Sequence, residues 1–408
     1  MSTIQAYLGD ASAHCGTAYV NERRGRVSST FAYAVDYLRE PGAHAIDPEL
    51  PLVTGAQPVS APLPRAFADA APDRWGRRLI ERRHASEDAE GRTSRALTDV
   101  DYLLGVSDVT RQGALRFATE AGGPFLSPGT TVPKLIALPT LVYAAAAVAA
   151  DDGGTFSAVK TLLDAGTASL GGARPKAAVS DDGRLFLAKF PHPHDEWDVM
   201  AWEKTVLDLA ADAGITVPRN RLVRIDGQSV LLVERFDREG DRRIGYLSAM
   251  TLLGANHGDT RDYLELAEAI PEVSADPQAD VRELFRRIVF SVAVHNTDDH
   301  LRNHGFLRRG AGWRLSPVFD VNPNPSLRTP RITTIGGALD PADEIATLVT
   351  ASGVFGLSAV AAVAVIEHVG RVVSDWQAVA RRNGIPAAQI ALFAPVFARG
   401  VRGTGLEA

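Results

Sequence analysis

The chain has 408 residues, of which 45% are hydrophobic and 23% charged, and it carries a formal net charge of −6. These values are ordinary for about two or three globular domains and exclude a largely disordered or membrane-buried chain and the basic footprint of nucleic-acid binding. A single cysteine, Cys15, excludes an internal disulfide and a cysteine-based metal cluster.

The lone thiol suits a reducing compartment, and Met1 to Gln5 lack the basic start and apolar stretch of a signal peptide, so a cytoplasmic location is expected. The longest apolar run, Leu141 to Ala150, is too short to span a bilayer, and no membrane contact is expected.

In chain order, residues 4–37 alternate in the manner of strands, most clearly at Phe31, Tyr33, Val35 and Tyr37. The proline-rich segment from Pro41 to Pro64 predicts an irregular connection. Helices are expected to open at Asp73–Ile80 and over Ala96–Leu104, with a short strand at Gly113–Phe117 and a boundary near residue 120. Further helices around 139–151 and 156–164 lead into a glycine-rich stretch, Gly166 to Lys176. There Gly171, Gly172 and Ala173 would let backbone N–H groups approach an anion, and Lys176 or Arg174 would add charge. The P-loop spacing is absent, and a plain turn between helix and strand is the simpler alternative.

Ala177–Val179 and Leu185–Phe190, joined through Asp182-Gly183, predict a hairpin whose second strand carries Lys189 among apolar residues. A lysine there either keeps its head in water or contacts phosphates and pairs with a helix glutamate. Glu203 is the candidate partner, beside the apolar face of a helix predicted between Asp198 and Gly214. A second hairpin ends in Glu234-Arg235-Phe236, where backbone groups can read an adenine edge or the charged residues can form a structural ion-pair cluster. The rest reads as helices, at Leu247–Leu253, Asp262–Ile270, Val281–Val294, Ala342–Val349, Ala359–Val373 and Pro386–Phe397.

Between these helices, Asn296 to Asp320 concentrates acidic and amide groups. Asp298 and Asn303 stand in the D-x-x-x-x-N relation of a kinase catalytic loop, in which the Asp accepts the proton of the attacking hydroxyl and the Asn holds Mg²⁺. Asp320, beyond a short hairpin, is the expected second metal residue, since Mg²⁺ takes hard oxygen ligands. The alternatives are a polar loop capping two helices, and a metal-dependent hydrolase using His295, Asp298, Asp299 and His300. A glycine-rich loop, strand lysine, helix Glu, charged strand end, D-x-x-x-x-N and later Asp follow the order of a bilobal kinase. The expected fold is therefore α+β and protein-kinase-like, with a β-containing N-terminal half and an all-helical C-terminal lobe. Its segments are 1–120, a nucleotide-binding N-lobe at 121–240, and a C-lobe at 241–408.

The stretches Ser169–Lys176, Leu187–Phe190, Val233–Arg238, Asn296–Asn303 and Leu315–Asp320, with Pro72–Arg78 before them, resemble the HipA family of serine/threonine kinases, the toxins of bacterial HipBA modules. The resemblance implies Asp298 as catalytic base, Asn303 and Asp320 as Mg²⁺ ligands, and Lys189 at the ATP phosphates. It implies an adenine site at Glu234, Arg235 and Phe236, and His300 is counted with the cofactor-binding residues. It further implies autophosphorylation of Ser169, which would switch the kinase off by expelling the glycine-rich loop. The implied partners are a HipB-like DNA-binding antitoxin and a protein substrate, possible in the translation machinery. Direct nucleic-acid contact by this chain alone is not expected. Arg174-Pro175 departs from the family's usual Gln and acidic or polar residue, and Asp299 stands where a small residue is common. A small-molecule kinase would share these motifs, and a co-repressor that grips an antitoxin without ATP turnover is the non-enzymatic alternative.

Overall fold

Alternation over the first 33 residues builds three strands, β1 (Ser2–Leu8), β2 (Ala13–Arg23) and β3 (Arg26–Tyr33), in a computed structural model that describes residues 2–9, 13–89, 95–126, 132–150, 156–166 and 172–405. Ile4, Ala6, Ala18, Val20, Phe31 and Tyr33 form the buried face. Arg24 and Gly25, both at positive φ, make the two-residue turn that matches strand twist. With β4 (Ala56–Pro58) and β5 (Leu115–Ala118) they form an antiparallel sheet in the order β4-β3-β2-β1-β5.

The alternation that predicts strand as far as Tyr37 gives way to a short helix, Val35–Leu38. Tyr33 ends β3 and Tyr37 lies within the helix; their rings stack at 5.9 Å and both are buried in the core, while Val35 is exposed.

A second sheet, in the order β6-β7-β9-β8, consists of β6 (Lys176–Asp181), β7 (Arg184–Lys189), β8 (Asn220–Ile225) and β9 (Gln228–Glu234). Both hairpins turn through Asp-Gly pairs at positive φ, Asp182-Gly183 and Asp226-Gly227. Helices Arg74–Ala89, Leu138–Ala150 and Phe156–Asp164 pack on it, burying Trp75, Leu141, Leu162, Val179, Ala188 and Leu232 in one cluster. The Trp75 indole donates to the Lys176 carbonyl at 3.2 Å, which fixes the start of β6.

The chain divides into two compact units, 1–194 with 223–247, and 195–222 with 248–408. The second is mostly helical and holds a short hairpin, Gly305–Arg309 with Gly312–Leu315. Its central helix, Pro277–Ala293, starts with Asp276 capping the Ala279 N–H and Pro277 in the first turn. Leu284, Phe285, Ile288, Val289, Val292 and Ala293 are fully buried along it. No helix among the described residues is long and apolar enough to cross a membrane.

Gly400, in the helix Ala387–Gly403, lets that helix approach closely, because a Cβ there would lie 2.2 Å from the Ala293 carbonyl oxygen. Gly400→Ala is expected to destabilise the second unit by about 1–3 kcal/mol, read as a lowered denaturation midpoint.

Candidate functional site

In the first unit the β6–β7 register sets Lys176 directly opposite Lys189, and both are buried at 1% and 4% exposure. Directly opposed residues share a sheet face, so the two lysines are cross-strand neighbours at the start of β6 and the end of β7. The glycine-rich turn enters here: Gly172, at φ +103, accepts the Trp75 N–H through its carbonyl, and Pro175 accepts that of Phe190. Ala173 is exposed. Ser169 and Gly171 lie outside the described residues.

Strand β9 ends at Glu234, opposite Phe186, with Arg184 Nη1 3.6 Å from its carboxylate. The Arg235 guanidinium turns inward, donating to Asp237 at 2.6 and 2.7 Å and to the Thr110 carbonyl at 2.9 Å. Its N–H donates to Leu185, so the group it can offer a ligand is its carbonyl oxygen. Phe236 is half-buried beside it. Burial opposes the charge on Asp237, yet Arg235, Arg238 and the Gly113 N–H hold its carboxyl below the usual carboxylate range.

In the second unit, the helix Pro277–Ala293 delivers the acidic loop through a reversal at His295, whose φ is +56. The neighbouring aspartates then part: Asp298 is exposed, whereas Asp299 is buried at 6% exposure. The Tyr263 hydroxyl donates to Asp299 Oδ2, Ser291 Oγ lies 3.1 Å from the same oxygen, and His304 Nε2 lies 3.1 Å from Oδ1. Burial works against ionisation of Asp299, but His304 and Tyr263 outweigh it and hold the carboxyl low. Burial and the Asp299 charge push the Tyr263 phenol well above its ordinary value.

Asn303 Nδ2 donates to the Asp298 carbonyl at 3.2 Å, closing the loop over a 3₁₀ turn, Leu301–Asn303. The segment carrying Asp320 is pinned on both sides of that loop. Ser316 N–H donates to Gly305, and Asn324 donates to the His295 carbonyl and the Thr297 hydroxyl. Asp320 itself sits in the left-handed region at φ +54, a conformation found at functional turns.

Several buried polar atoms around this loop have no protein partner: both amide atoms of Asn296, Nδ1 of His300 and of His304, and Oδ1 of Asn322. Such atoms are rare in folded proteins and mark places for water, ions or ligands. With the hard oxygens of Asp320 and Asn303, this donor set fits Mg²⁺ and nucleotide phosphates.

His295, Asp298, Asp299 and His300 do not assemble as a transition-metal site. His295 Nε2 is 3.1 Å from the Ser326 carbonyl, and burial pushes its pKa down. Among the described residues no group of three or more His, Cys, Asp and Glu is arranged to hold a metal. Glu203, at 2% exposure, is in the second unit and Lys189 is in the first. Sequence reasoning missed Tyr263, Ser291, Arg331 and Thr333, which support the loop from 5 to 36 residues away. No local pattern marks them.

A β-containing unit with a lysine-bearing hairpin, followed by a mostly helical unit with a helix-supported Asp-x-x-x-x-Asn loop, defines an α+β bilobal fold of the kinase type. The family model described as the HipA-like C-terminal domain matches residues 168–376, more than half of the chain, which therefore belongs to the HipA family. A candidate kinase of Haemophilus influenzae is 26% identical over 170 residues, 37% of this chain and 49% of that protein. The candidate kinase Y4mE of Sinorhizobium fredii is 29% identical over 147 residues, 33% of each chain. The matched stretches thus span about half and a third of these relatives. A chain of the Shewanella oneidensis HipA, HipB and operator DNA complex shares the fold over 98% of this chain and 96% of its own, with a TM-score of 0.67 and 16% identity.

Proposed function

We propose that the chain is a Mg²⁺- and ATP-dependent serine/threonine protein kinase, a growth-blocking toxin limited by autophosphorylation of Ser169 and by a HipB-like DNA-binding antitoxin. The observation that carries the catalytic reading is the parting of the two aspartates: Asp299 is buried among donors, while Asp298 is exposed with its carbonyl held by Asn303. This exposure supports Asp298, rather than the buried Asp299, as the residue that would meet an acceptor hydroxyl.

Bound Mg²⁺–ATP supplies the phosphoryl group and neutralises its charge. Asn303 and Asp320 would hold the metal, and Lys176 and Lys189 would meet phosphate oxygens beside the backbone of Gly171, Gly172 and Ala173. Glu203 would orient Lys189 as its ion-pair partner. The Glu234–Phe236 backbone would read the adenine edge, with Phe236 against the ring, and His300 would donate to or accept from the nucleotide through Nδ1. Asp298 would take the proton of the acceptor hydroxyl as its oxygen becomes the nucleophile. The HipA–HipB–DNA assembly of a protein with this fold supports an antitoxin as partner. A component of the translation machinery is one substrate to test.

Incubation with ATP and Mg²⁺ followed by intact-protein mass spectrometry is expected to show one added phosphoryl group, absent from Ser169→Ala. An unchanged wild-type mass, with no labelling of any added protein, would overturn the reading. Transfer confined to small molecules would replace the protein substrate with a metabolite.

A further inference from the structure

We propose that the segment Arg331–Thr333, together with Tyr263 and Asp299, is a positioning frame that sets the Asp298 carboxylate for proton acceptance. This rests on the kinase reading above. Consecutive residues of the segment grip the loop in register. Arg331 Nη1 donates to the Asn296 carbonyl at 2.8 Å, Ile332 N–H to that of Thr297 at 3.0 Å, and Thr333 Oγ1 to that of Asp299 at 2.6 Å.

The segment is itself fixed from behind. Thr333 and Thr334 pair in parallel with Arg261 and Asp262, and Arg331 is ion-paired with Glu344 at 2.9 Å. From the other side, Tyr263 and Ser291 reach the Asp299 carboxylate. Ser291 Oγ is also 3.1 Å from the Asn296 carbonyl, so its one proton serves either acceptor. Thr333, Tyr263 and Asp299 are buried at 1%, 0% and 6% exposure. Three carbonyls flanking Asp298, and the side chain that follows it, are therefore tied to the interior, and Asp298 is the outward residue.

The geometry couples the two proposed catalytic positions. The chain that grips the Asp298 loop through Arg331–Thr333 is the one that carries Asp320, eleven residues earlier, and it is tied to His295 and Thr297 midway by Asn324. A shift of the segment moves base and metal residue together. Reaction rates respond to sub-ångström misplacement far more than ligand binding does.

The test is steady-state phosphoryl transfer by Thr333→Val and Tyr263→Phe, each of which deletes one hydroxyl and keeps the packing. The expected result is a kcat lowered about 10- to 100-fold with KM for ATP within about twofold of wild type. Thr333→Ser, which keeps the hydroxyl, should retain most of the rate. Thr404→Val is the control: that hydroxyl is also buried in the second unit and donates to the Val401 carbonyl at 2.6 Å, so its loss should leave kcat unchanged. Wild-type kcat in both frame variants, or an equal fall in Thr404→Val, overturns the frame and leaves the kinase reading intact. A wild-type protein that transfers no phosphate overturns both.

Discussion

Asp298→Asn is expected to lower ATP-dependent phosphoryl transfer by about 100- to 10,000-fold, the usual contribution of a positioned general base. The amide keeps the shape of the side chain and cannot accept the proton. Its effect on stability should be small, within about 0.5 kcal/mol, because Asp298 is exposed and Asn303 bonds to its main-chain carbonyl, which the substitution leaves in place. Asp299→Asn should behave in the opposite way. Tyr263 donates to Asp299 Oδ2 and Ser291 lies within reach of it, so an amide nitrogen placed there would face donors and cost about 1–3 kcal/mol. Parallel kinetics and thermal melts of the two variants check both statements. A full rate in Asp298→Asn, with the loss appearing instead in a stable Asp299→Asn, would reverse the assignment.

The parts of this site that were legible in the sequence are those set by neighbours in the chain. The Asp-Gly turns at 182–183 and 226–227 fixed both hairpins, and hydrophobic spacing gave the buried face of Pro277–Ala293. The interval from Asp298 to Asn303 marked the loop, and the structure shows why it matters locally, since Asn303 reaches back to the Asp298 carbonyl. Which aspartate faces inward was not legible. That depends on Tyr263, 36 residues earlier, and on Thr333, 34 residues later, neither of which has a local signature. Arg235 shows the same limit. Beside Glu234 and Phe236 it reads as part of a ligand-facing strand end, but its partners Thr110 and Arg111 lie more than a hundred residues upstream and draw the guanidinium inside. The helical turn at Val35–Leu38 was hidden because Tyr33 and Tyr37 satisfy a strand period and a helical period alike.

The largest stability effect is expected from Asp237→Ala, a loss of about 3–5 kcal/mol in the first unit, because removing one member of a buried ion pair strands the charges that remain. Asp237 is 2% exposed and accepts from Arg235 at 2.6 Å, Arg238 at 2.9 Å and the Gly113 N–H at 2.7 Å. Both arginine side chains are themselves buried. Burial, together with the neighbouring Arg235 and Arg243 charges, pushes Arg238 down to about 10 even with the aspartate beside it. The pH dependence follows from the sign of the Asp237 shift. Its folded pKa lies below the ordinary carboxylate value of about 4, so its stabilisation is present above that value and is lost as pH falls through the folded one. Wild type should therefore exceed Asp237→Ala most at neutral pH, and the gap should narrow below about pH 4. Urea unfolding at neutral and acid pH, followed through Trp75, reports on this unit. Equal midpoints at neutral pH, or a gap that widens in acid, would show that the pair contributes nothing. Because the same carboxylate ties the end of β9 to Gly113, a milder loosening, such as Asp237→Asn, should also raise KM for ATP if Glu234–Phe236 reads the nucleotide.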